Sequence, residues 1–68
     1  MEHLTIKNDL LNKLTNDLYF SEIELERLVN IDTISYSDQL NLIEKTLENI
    51  VFIKTKISAI NTYLKIEE

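Results

Sequence analysis

YSDQLNLIEKTLENIVFIKTKISAINTYL, residues 36–64, is the stretch whose reading decides the fold. Leu40, Ile43, Leu47, Ile50, Ile57 and Leu64 recur in it at spacings of three, four or seven, and Ile53 and Ile60 join the stripe further along. That is the period of one face of an α-helix. Ile43, Ile50, Ile57 and Leu64 repeat every seven residues, a spacing that winds a helix pair into a left-handed supercoil. Neither Gly nor Pro interrupts the stretch, and the whole 68-residue chain contains neither. Average usage would supply roughly eight such residues in this length. Without them, β-hairpins and phosphate-cradling loops are hard to build. The composition therefore favours a few long helices.

Upstream, Leu4, Leu11, Leu18 and Leu25 also fall every seven residues, with Leu14 and Leu28 at the three-residue offset. Lys7 and Ser21 break the pattern at the remaining two offsets. This a/d spacing predicts a helix from about Thr5 to Val29, about 37 Å long at 1.5 Å per residue. Asn30 is placed to end it as a left-handed C′ residue, with Ile31 folding back towards Leu25. Ser35, followed three residues on by Asp38, reads as the N-cap of the next helix, with Ser37 as the rival cap. Two long helices joined by so short a connection run antiparallel. The expectation is an all-α, coiled-coil-like antiparallel hairpin, with helices at about 5–29 and 36–64, forming one domain over residues 1–68.

The chemistry such a chain offers is limited. With no Cys there is neither a disulfide nor a thiolate metal site, which fits a reducing compartment. The single His, His3, sits near the terminus, and a nucleophile would need both a base and an orienting group. Two helices enclose no pocket for paired carboxylates, and no Gly-rich loop is present for a nucleotide. The reading is therefore a non-enzyme without cofactor or metal. An acidic start and the lack of a long apolar run disfavour a signal peptide or a membrane span, pointing to the cytoplasm. A formal charge of −5 disfavours nucleic acid or an anionic membrane as partner. Glu22, Glu24 and Glu26 with Asp17 read as a solvated acidic face, and Lys54 and Lys56 as surface residues lying along apolar neighbours.

The apolar content exceeds what one seam can absorb. Phe52, Ala59, Tyr63 and Ile66 cluster on the face of the second helix opposite its main stripe, and Tyr19, Phe20 and Ile23 lie off the leucine seam of the first. These seven residues are the expected protein interface. Their occupant is expected to be a second copy, completing a four-helix bundle, or a different protein.

The segment from Leu28 to Ile53 resembles the small co-chaperones of bacterial type III secretion needle subunits, the YscE/SsaE-like family. The residues that carry the likeness are Tyr36, Leu47-Glu48-Asn49 and the run Ile50 to Ile53, over roughly the C-terminal two-thirds of the chain. Members are cytosolic hairpins of similar length. The resemblance implies docking on a tetratricopeptide (TPR)-like chaperone, the pair holding the needle subunit soluble before export. Ser37-Asp38-Gln39-Leu40-Asn41 is similar, in turn, to the signature of the Spo0E-like aspartyl-phosphate phosphatases, also short hairpins. There the two acids the chemistry needs would fall on Gln39 and Asn41. A third reading is a homodimeric phage or plasmid regulator that inhibits a host protein.

Overall fold

A computed structural model describes the backbone of residues 2–64 and the side chains of residues 5–64. The side chains of His3, Leu4 and Ile66 lie outside the described residues. The chain forms helix α1, Glu2–Asn30, and helix α2, Tyr36–Tyr63, packed antiparallel along their length. This is the all-α hairpin expected, a rod 53 × 15 × 11 Å. Its radius of gyration, 15.8 Å, is well above the ~11 Å of a compact domain of this length.

The turn works through two polar side chains. Ser35 has extended backbone (φ −65°, ψ 152°), and its Oγ accepts from the Asp38 amide at 3.1 Å, satisfying one amide that the first turn of α2 leaves without a partner. Ser35, not Ser37, is the cap. The end of α1 differs from expectation. Asn30 is the last helical residue and is not left-handed, since no described residue has positive φ. Its Nδ2 donates to the Glu26 carbonyl at 2.8 Å, one turn back in the same helix.

Leu14, Leu28, Ile50 and Ile53 are buried, and Leu28 most completely. Around them, half-buried residues continue the seam in alternating steps of three and four: Lys7, Leu11, Leu18, Ser21 and Leu25 on α1, and Gln39, Ile43, Thr46, Ile57, Ile60 and Leu64 on α2. Lys7 and Ser21, the breaks in the leucine pattern, thus hold seam positions.

On α2 the seam keeps Ile43, Ile50, Ile53, Ile57, Ile60 and Leu64 of the expected stripe but not its two leucines. Leu40 and Leu47 are 49% and 45% exposed, and Gln39 and Thr46 take the places given to them. Ile60 and Ile53 continued back by sevens land on Thr46 and Gln39, and at Gln39 the seam meets the open carbonyls at the end of α1. The last four of a helix have no intrahelical donor. The Gln39 amide reaches across to donate to Leu28 O at 2.8 Å and Val29 O at 3.2 Å, which a leucine cannot do. One residue along a helix is a turn of about 100°. Leu40 and Leu47, one residue past Gln39 and Thr46, therefore lie on the flank.

A second polar crossing fixes the register at mid-length. Asn49 Nδ2 donates to Ser21 Oγ at 2.9 Å, beside Thr46. Polar seam residues of this kind specify alignment at some cost in stability.

Candidate protein-interaction surface

The seam leaves two flanks, each shared by both helices. One is defined by a shallow groove between the helices, lined by Phe20, Ser21, Glu24, Lys45, Thr46 and Asn49. The heptad positions in that groove recur along the rod, so this flank also carries Ile6 and Leu10 of α1 and Leu42, Phe52, Ala59 and Tyr63 of α2. The cross-hairpin bonds set Ile6 at the level of Tyr63, Leu10 at that of Ala59, and Phe20 and Phe52 near mid-length. The opposite flank carries Tyr19 and Val29 of α1 and Leu40, Leu47 and Val51 of α2, with Val29 at the level of Leu40 and Tyr19 at that of Val51.

All seven sequence-predicted interface residues except Ile66, which lies outside the described residues, are exposed. The structure does not gather them into one patch. Phe20, Phe52, Ala59 and Tyr63 share the first flank. Tyr19 belongs to the second, and Ile23 sits on the outer ridge of α1, against a hollow lined by Glu26, Arg27, Asn30 and Ile31. The Tyr19 and Phe20 rings meet edge to face, centroids 5.7 Å apart, straddling the outside of α1 between the flanks. Sequence reasoning misses Val29, Leu40, Leu47 and Val51 as a strip. Read with Ile43 and Ile50, Leu40 and Leu47 go to the core, and the signal that could free them is the seven-residue series of Ile60 and Ile53 continued back to Thr46 and Gln39.

Charge separates the flanks. On the first, Lys13, Arg27, Lys45 and Lys56 are interleaved with Asp17, Glu24 and Asp38, close to balance. Lys56 holds its ammonium 4.4 Å from the Phe52 ring centroid, an attraction of cation for π face that also shields the aromatic. Glu24 and Arg27 form a two-pronged ion pair at 2.9 and 2.5 Å. The hydrogen bond from Arg27 holds the Glu24 carboxyl below its ordinary value of 4.5, and the same bond raises the guanidinium. On the second flank Glu22, Glu26 and Glu44 rim the apolar strip, and Lys54 lies beyond it.

Among the described residues no group of three or more Asp, Glu, His or Cys converges on a possible metal position. No described helix is long and apolar enough to cross a membrane. Gln39, where the phosphatase-like signature would need a carboxylate, is committed to the α1 carbonyls.

No protein-family profile, curated protein or solved structure matches this chain.

Proposed function

We propose that this chain is a non-enzymatic protein-interaction module, and in its most specific form a cytoplasmic co-chaperone that helps keep a type III secretion needle subunit soluble by binding a TPR-like chaperone. The observation that carries the module reading is the strip of Val29, Leu40, Leu47, Val51 and Tyr19, five large apolar side chains on one flank of a rod with four buried residues among those described. Contiguous apolar surface rimmed by charge marks interaction sites. Its rim of Glu22, Glu26 and Glu44 selects a partner whose apolar groove is edged by Lys or Arg, because like charges across an interface cost affinity and opposite ones steer encounter. Stacked helical repeats present extended concave surfaces of the shape that accepts a narrow rod. The co-chaperone step rests on the likeness of residues 28–53 to that family.

The test is co-expression of the chain with a needle subunit and a TPR-like chaperone from the same source. The expected result is a stoichiometric soluble complex, lost on Leu47→Asp with the helical content unchanged. A needle subunit equally soluble without the chain would sink the co-chaperone reading. A complex that survives Leu47→Asp and Val51→Asp together would move the docking site off this flank.

A further inference from the structure

We infer that the second flank receives a single basic amphipathic helix, about three turns long, lying in the groove between α1 and α2. This occupant rests on the interaction-module reading of that flank and does not need the co-chaperone step.

The groove has a floor and two shoulders. Val29 and Glu22 on α1, with Leu40 and Leu47 on α2, stand about 70° from the seam and form the floor. Glu26 and Tyr19 on α1, with Glu44 and Val51 on α2, stand about 130° from it and form the shoulders. The cross-hairpin register sets Glu26 level with Glu44, and Tyr19 level with Val51. From the turn, an occupant therefore meets the apolar floor of Val29 and Leu40, then an acid on either side. Glu22 beside Leu47 comes next, and the apolar shoulders Tyr19 and Val51 last. Ten residues separate Val29 from Tyr19, about 15 Å of helix rise.

That order of contacts suits one helix. Laid in the groove, it covers the floor with its apolar stripe while Lys or Arg on both of its sides reach Glu26 and Glu44. A strand or loop would instead leave its own backbone groups unpaired over an apolar floor. The acids are not served from within the chain. Among the described residues the one ion pair is Glu24 with Arg27, on the first flank. Glu22 and Glu26 are four residues apart, as are Glu44 and Glu48, like-charge spacings that weaken a helix and that a cationic occupant relieves. Past Tyr19 and Val51 the floor continues with Thr15 and Lys54, where a basic helix loses its attraction.

The probe is a synthetic peptide of about 18 residues, a leucine stripe flanked on both sides by Lys, titrated against the full chain by fluorescence anisotropy. It should bind. Leu47→Asp and Val51→Asp should each weaken it about tenfold, although each adds a negative charge that plain attraction would favour. Phe52→Asp adds the same charge on the first flank and should not weaken it. Glu26→Gln with Glu44→Gln should weaken binding about threefold and reduce its salt dependence. Asp9→Asn with Asp17→Asn, the same loss of charge away from the groove, should do far less. Absence of binding overturns the docked helix. So does binding as tight to Leu47→Asp as to the parent, or an equal loss in the two double variants. If circular dichroism shows that Leu47→Asp is unfolded, the double variants still decide. Peptide binding without any complex with a needle subunit and a TPR-like chaperone would refute the co-chaperone alone. Such a complex, lost on Leu47→Asp, with no peptide binding would refute the docked helix alone.

Discussion

The flank of Phe20 and Phe52 and the flank of Leu40, Leu47 and Val51 are both apolar, but they differ in where their charges stand. On the first, bases and acids alternate along the rod, and the apolar side chains run from Ile6 and Tyr63 at the open end to Leu42 near the turn. On the second, apolar residues crowd the turn half, acids rim them, and the open half is rich in Asn. The acid-rimmed pattern of the second suits a different, basic-edged protein, whereas the mixed charges of the first favour neither sign of partner.

The distinction between the flanks would collapse if either were core. Leu28→Ala, in the seam, sets the scale: a loss of about 2–5 kcal/mol, enough to unfold so small a core, read by chemical denaturation followed by circular dichroism. Leu40→Ser with Leu47→Ser should stay within about 1 kcal/mol of the parent, as surface changes do. A loss on the scale of Leu28→Ala would restore the two leucines to the seam and erase the second flank.

Smaller effects are expected at the turn. Gln39→Ala leaves the Leu28 and Val29 carbonyls without their cross-hairpin donor, and should cost about 1–3 kcal/mol by the same measurement. Should Gln39→Leu prove more stable than the parent, the account of Gln39 as the donor that covers the α1 terminus would be wrong. Ser35→Ala removes the cap of α2 at about 1 kcal/mol and should move neither flank.

The smallest effect is the acid limb of Glu24 on the first flank. Its folded pKa is depressed, so its pairing with Arg27 contributes above 4.5 and is lost as pH falls through the lowered value. Both groups are solvent-screened, so Glu24→Gln should lower stability only slightly at neutral pH, remove the acid-limb dependence, and leave the two proteins alike below that window. A large loss at neutral pH would mean that Glu24 meets a further charge.

Much of the fold is legible in the chain itself. The lack of Gly and Pro, the leucine heptads from Leu11 to Leu28 and the isoleucines from Ile43 to Leu64 dictate two long helices and one turn, because each is a local property of spacing and propensity. Ser35 is readable as a cap for the same reason. The handedness of Asn30 is not, since the open carbonyls beside it are met from α2 by Gln39.

Which residues of α2 hold the seam near the turn is a different matter, settled when the two helices meet. Leu40 and Gln39 are one residue apart, and hydrophobicity alone favours the leucine. Gln39 continues the sevens of Ile60, Ile53 and Thr46, and the open carbonyls that its amide satisfies there belong to α1. That placement sets which apolar side chains are seam and which are surface. Spacing and propensity make the helices, and the contact between them makes the flanks.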